Sequence, residues 1–257
     1  MSIRTITLVV TLLLGVAAVE AAPVSVRLPE GNTRGFLVLR SPDGEVIAHG
    51  ELRQKPAQGL IESRLFLAFK DGSQREEIAV FSQDRTLRLE SYRLVERGPS
   101  FPTAEIAFDR KSGQYKARTQ DRKGDEERVA TGQIEMPADL YNGMALVLLK
   151  NLADGEKASG QMAVFTPKLR LIRMDLSPEG EEKVRLGGTA LTVRRYLVKL
   201  EIGGLTGAIA SLIGKDPPES RYWLATGEVP AFVRFEGMLL LKGPRWRIEM
   251  TTPEWPR

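Results

Sequence analysis

In "RWRIEM", Trp246, Ile248 and Met250 fall on one side of an extended chain, and Arg245, Arg247 and Glu249 fall on the other. A period of two is the period of a β-strand, and one apolar face opposite one charged face is the pattern of an antiparallel sheet wetted on one side. The same period sets Tyr196, Val198, Leu200 and Ile202 against Lys199 and Glu201. Between such runs stand residues that reverse a chain: "SPDG" at Ser41 to Gly44, "KDGS" at Lys70 to Ser73, "RKSG" at Arg110 to Gly113 and "KGP" at Lys242 to Pro244. Alternation cut by tight turns predicts a meander of hairpins, not alternating β and α units.

The expected strands are Arg34 to Arg40, Glu45 to Leu52, Gly59 to Lys70, Arg75 to Ser82, Thr86 to Val95, Thr103 to Asp109, Gln114 to Thr119 and Arg128 to Ile134. Further on they are Gln161 to Arg173, Lys183 to Ile202, Arg221 to Ala225, Phe232 to Leu241 and Trp246 to Thr251. A sheet of that many strands curls on itself or splits into layers. The expected fold is therefore mainly β: a strongly curved antiparallel sheet, half-barrel or barrel-like, with one or two short apolar helices against its concave face. "SRLFLAF" is too uniformly apolar for one wet face, so part of the sheet is expected to be covered on both sides.

Two segments break the alternation. In "PADLYNGMALVLLKNL" Pro137 suits a first helical turn, Asp139 and Lys150 complement the two ends of a helix dipole, and Leu140, Met144, Val147 and Leu148 share a stripe. This predicts a helix near Leu140 to Leu152. The second segment, "GGLTGAIASLIGKDPP", runs from Gly203 to Gly214 without a charge in a chain where 27% of residues are charged, so something must cover it. Leu205, Ile209, Leu212 and Ile213 recur at helical spacing, and the two prolines end the helix. It reads as a core cap, as the lid of a chamber, or as a membrane contact.

At the N-terminus, "ITLVVTLLLGVAAV" follows Arg4 and leads to Ala21 and Ala22. The run is shorter than the ~20 residues that span a bilayer, and it predicts a signal peptide over residues 1–21 with the mature chain starting at Ala22. Residues 22–257 then form a single β-rich domain, periplasmic or secreted, with no integral membrane anchor after cleavage. The chain has no cysteine, which removes disulfides, thiolate metal sites and lipid-modified cysteine from consideration. The formal charge of +4 is dispersed among acids, as in "DRKSGQYKARTQDRKGDEER", which is the mark of a solvated face and not of a nucleic-acid surface.

Catalytic chemistry is sparse. The single histidine, His49, sits in an alternating strand and reads as a surface or rim residue; one imidazole excludes histidine metal clusters. There is no G-x-S-x-G, Walker loop or dinucleotide fingerprint. No cofactor and no metal site is expected. A carboxylate-pair hydrolase needs only two close acids, and 33 are available, with nothing to single out a pair.

The run from Gly203 to Met250, with Trp223 and Leu224 on one strand, Pro230 opening the next and a final alternating strand, resembles the closing section of a family of exported bacterial proteins of unknown function. "PADLYNGMALVLLKN" resembles the short apolar helix of the same family. The resemblance covers about half the chain. It implies a strongly curved antiparallel sheet around an apolar cavity, loosely similar to the half-barrel of periplasmic lipoprotein carriers, and a Gram-negative periplasm. It supplies no substrate and no catalytic residue.

These readings converge on a binding protein that holds a lipid or other apolar small molecule. Its expected ligand-binding residues are Leu140, Met144, Leu148, Leu205, Ile209, Leu212, Ile213 and Trp223. The alternatives are an envelope module with a filled core that docks a protein partner, and a carboxylate-based hydrolase.

Overall fold

The computed structural model describes residues 22–121, 124–165, 168–186, 188–201, 219–240 and 243–251. They form one antiparallel sheet. Its first eight strands are β1 (Thr33–Arg40), β2 (Val46–Ala57), β3 (Leu60–Phe69), β4 (Gln74–Gln83), β5 (Leu87–Arg97), β6 (Thr103–Asp109), β7 (Gln114–Gln120) and β8 (Arg128–Gln133). A helix, α1 (Ala145–Asn151), follows, and then β9 (Ala158–Phe165), β10 (Leu169–Leu186), β11 (Thr189–Glu201), β12 (Glu219–Ala225), β13 (Ala231–Met238) and β14 (Arg245–Thr251).

The 14 strands lie in the order β8 to β1, then β14 back to β9, so two meanders join where β1 pairs with β14. β8 and β9 are the two ends of that order, and the sheet curls until they face each other. Across the seam the ring of Tyr115 on β7 packs on Phe165 of β9, with centroids 5.5 Å apart. The chain that leaves β8 crosses to the far edge and lines it: Tyr141 N–H donates to the Gln161 carbonyl at 2.9 Å, and Gln161 N–H donates to that of Asp139 at 2.8 Å. Asn142 then continues this edge pairing with its side chain. Its amide donates to the Ala163 carbonyl at 2.9 Å and accepts from the Ala163 N–H at 2.8 Å.

Turn chemistry acts where the sequence places it. Gly44, Gly72 and Gly113 take φ of 87°, 85° and 65° at the ends of the β1–β2, β3–β4 and β6–β7 hairpins. Two expected strands are in fact parts of hairpins. Gln161 to Arg173 spans β9 and the start of β10, and Lys183 to Ile202 spans the end of β10 and β11, with Gly188 (φ 84°) in the turn. Alternation continues on both sides of these short reversals, so the period alone conceals them.

The helix is shorter than the spacing predicts. Gly143 takes φ of 71°, and an added Cβ there would lie 3.1 Å from Ala79. This left-handed residue blocks helix propagation back toward Pro137, so Leu140 sits in a bridge with Gln161 and Asp139 does not cap the helix. Lys150 does occupy the last turn, and its Nζ lies 2.6 Å from Glu30 in a buried ion pair. Among the described residues α1 is the single helix, and none is long and apolar enough to cross a membrane.

Much of the convex face carries charged side chains that lie over its aromatic rings and pair across strands. Arg64 lies over Phe66 at 5.2 Å and Arg34 over Phe36 at 4.9 Å. Ion pairs run across strands, from Arg64 to Glu76, Glu76 to Arg93 and Arg93 to Glu105, and similarly from Arg234 to Glu249 to Arg40. Each such exposed pair is worth about 0–1 kcal/mol, so the lattice contributes more to register and solubility than to stability.

Candidate ligand chamber

The strand register places the concave side chains in rows. One row reads Leu52, Leu65, Glu77, Leu94, Ile106, Ala117 and Ala130 across β2 to β8. The row on one side of it reads Gln54, Ser63, Ala79, Tyr92, Phe108, Tyr115 and Gly132, and the row on the other side carries Leu67, Arg75, Glu96, Ala104, Thr119 and Arg128. Two apolar clusters close the interior. One gathers α1 with Phe81, Leu87, Leu89, Phe108, Tyr141 and Leu176, and the other gathers Leu37, Leu39, Phe69, Phe101, Phe235 and Trp246.

Between the clusters lies a chamber of about 920 Å³. Its size follows from the residues that line it. Ala79, Ala104, Ala117, Ala130, Ala145 and Ala163 all face it, joined by Gly143, so the rows do not meet in the middle. Leu65, Leu94, Ile106, Met162, Met174, Val198 and Tyr222 make the rest of the wall largely apolar. Native interiors contain few voids larger than a water molecule, whereas small-molecule sites occupy about 300–1,000 Å³. The chamber extends to the sheet end where Arg128 and Asp121 form an exposed ion pair at 2.5 Å beside Val129.

One part of the wall is polar. Arg75 and Glu96 are cross-strand partners with side chains only 8% and 5% exposed. Arg75 Nη1 donates to Glu96 and, at 3.2 Å, to the Leu239 carbonyl; Nη2 lies 3.8 Å from Glu77. Arg75 Nε has no acceptor among the described residues. Tyr92 donates its hydroxyl proton to Glu77 at 2.6 Å. Burial opposes the charge of Arg75, but Glu77 and Glu96 more than offset it, and its pKa is raised. Burial likewise raises that of Glu96 in spite of Arg75. Tyr92 is pushed well above the ordinary phenol range, first by burial and then by Glu77, and burial also raises Tyr222 and Tyr141.

Glu77 and Glu96 both face the chamber beside Arg75. Glu96 is tied to the Arg75 guanidinium and Glu77 to the Tyr92 hydroxyl, which is the arrangement of an internal ion cluster more than of a free proton donor. No three His, Asp or Glu groups come together as a metal site among the described residues. His49 is exposed on β2.

Four of the residues expected to bind ligand, Leu140, Met144, Leu148 and Trp223, lie away from the chamber. Leu140, Met144 and Leu148 are fully buried in the core cluster and do not line the chamber; Tyr141, Ala145, Leu146 and Val147 of the same segment do. The early turn at Gly143 sets which side of α1 meets the space. Trp223 also lies away from it. Strand alternation points Tyr222 and Leu224 inward, and Trp223 packs on the outer face with Val193 and Val233, under Arg234 at 5.5 Å, donating its indole N–H to Glu182. Leu205, Ile209, Leu212 and Ile213 lie outside the described residues. The polar group and the inward alanines are not visible as a local motif, because only register brings them together.

No known protein-family model matches this chain. A search of curated proteins likewise finds no match.

Proposed function

We propose that this protein is an exported carrier or binding protein that holds a lipid-like molecule inside its curved sheet. The observation that carries the reading is the alanine-lined chamber of about 920 Å³ between two closed apolar clusters. Filling it with apolar groups is favourable by about 0.8 kcal/mol for each methylene taken from water, so an acyl chain binds without any polar code. Export is supported by the apolar leader over residues 6–19 and by the small residues before Ala22. Val24, two residues into the expected mature chain, is buried and its N–H donates to Tyr141 at 3.0 Å. The expected mature start, Ala22, is thus followed closely by a docked residue.

The test is to fill the space. Ala117→Phe with Ala130→Leu puts bulk into the central row, where both alanines face the chamber. Saturable uptake of a fluorescent acyl probe should be lost while the melting temperature is held or raised. Unchanged uptake in a folded double variant contradicts the reading.

A further inference from the structure

We infer that the polar wall of the chamber selects a neutral, hydroxyl-bearing head group, so that the cargo is a single-chain amphiphile of the monoacylglycerol class. This rests on the apolar-ligand reading above and specifies its chemistry.

Charge is the first observation. Among the described residues the acidic and basic side chains lining the chamber are Arg75, Arg128, Glu77, Glu96 and Asp121. Arg128 is already paired with Asp121 at the exposed end, which leaves one guanidinium facing two carboxylates inside. Of that guanidinium, Nη1 serves Glu96 and the Leu239 carbonyl, Nη2 lies 3.8 Å from Glu77, and Nε, without an acceptor among the described residues, is itself buried. With Nε buried and Nη2 beside a carboxylate, no exposed paired fork meets a carboxylate or phosphate head group. An anionic head would lose its water next to uncompensated negative charge, which is strongly unfavourable.

The second observation is a set of polar atoms without protein partners. Gln54 and Ser63 are cross-strand neighbours, 3% and 8% exposed, and both face the chamber. Gln54 Oε1 accepts from the Thr33 hydroxyl at 3.1 Å, which orients the amide and leaves its NH₂ group to donate. The Ser63 hydroxyl and the second oxygen of Glu77 are also unengaged among the described residues. Ser63 and Glu77 are diagonal neighbours on β3 and β4, since Ser63 pairs with Ala79 and Leu65 with Glu77. Two donors and a carboxylate acceptor, set side by side, call for a head group that both accepts and donates. A glycerol diol does both without bringing a charge. An ammonium head could meet Glu77 but would face Arg75 and the two donors that point into the chamber. Buried polar groups left unpaired discriminate strongly against a ligand that cannot satisfy them.

The test compares ligands with one palmitoyl-length chain and different heads, by titration calorimetry on the exported protein at neutral pH. The probes are monopalmitoylglycerol, palmitate, hexadecyl phosphate and hexadecylamine. The glycerol ester should bind at least about tenfold more tightly than each of the others. Glu77→Gln, which removes one of the two carboxylate charges, should narrow the gap between ester and palmitate. Palmitate, the phosphate or the amine binding as tightly as the ester overturns the head-group assignment while leaving the carrier reading intact. Binding of none of the four overturns both. If Glu77→Gln does not fold, the ranking in the unaltered protein decides alone.

Discussion

Tyr115 on β7 and Phe165 on β9 stand near opposite ends of the strand order, yet their rings meet with centroids 5.5 Å apart at 56°. This contact joins the two edges of an unclosed sheet. It depends on Gly132 of β8, the cross-strand partner of Tyr115, because a Cβ at Gly132 would come within 2.8 Å of the tyrosine ring. Tyr115→Ala should lower stability by about 2 kcal/mol, the combined worth of a half-buried aromatic and its ring contact. Gly132→Val should displace the ring and act similarly. Hydrogen exchange should quicken in β8 and β9 in both variants, and protection unchanged there would show that the seam is held by other contacts.

At the far edge of the seam one side chain extends the backbone pairing. Asn142 is 3% exposed and satisfies both the N–H and the carbonyl of Ala163. Asn142→Leu leaves two buried backbone groups unpaired, each costing about 1–3 kcal/mol. Chemical denaturation should register a loss of about 2–5 kcal/mol, and a change below about 1 kcal/mol would mean that the strap is not anchored there.

Adjacent residues of one segment should separate binding from folding. Leu148 is fully buried in the core cluster, whereas Leu146 is partly buried and lines the chamber. Leu148→Ala should cost about 2–5 kcal/mol of stability with ligand uptake retained in the folded fraction. Leu146→Ser should weaken uptake of an acyl probe with a much smaller effect on the melting temperature. Trp223→Phe, on the outer face, should leave uptake unchanged. The reverse assignment of effects would place the ligand elsewhere.

The buried cluster around Arg75 gives a pH signature. Arg75→Met leaves Glu77 and Glu96 without their cation and should cost about 3–5 kcal/mol at neutral pH. Glu96 has its folded pKa raised above 4.5, so its favourable contribution is complete below the unfolded value and is lost as the pH rises through the folded one. Removing Arg75 raises that pKa further. The gap between Arg75→Met and the unaltered protein should therefore shrink on acidification from about pH 7 to about pH 4, read by urea denaturation at each pH. A gap that stays constant would show that the carboxylates are not what the guanidinium stabilises.

Much of the sheet is legible in the sequence because its signals are local. "RWRIEM" states its two faces unaided, and "SPDG", "KDGS" and "RKSG" mark turns with glycines that the structure sets at positive φ. The reversals between β9 and β10 and between β10 and β11 are hidden because alternation resumes at once on the other side. The helix is misjudged for a conformational reason: the stripe through Leu140, Met144 and Leu148 is real as a buried face, but Gly143 in the left-handed region confines the helical turns to Ala145 onward. The chamber is the least legible part. Ala79, Ala104, Ala117 and Ala130 come from four strands, and only the register shows that their small side chains face one space. Arg75, Glu76 and Glu77 are consecutive charges within one expected strand, and alternation turns the first and third inward and leaves Glu76 to Arg64 outside.

Native mass spectrometry of the exported protein, purified without detergent and followed by solvent extraction, tests the chamber most directly. The account predicts one co-purifying apolar molecule per chain, released by extraction and rebound from a lipid mixture, and absent from the Ala117→Phe, Ala130→Leu variant. A bare mass in the unaltered protein that does not change after exposure to lipid would contradict it.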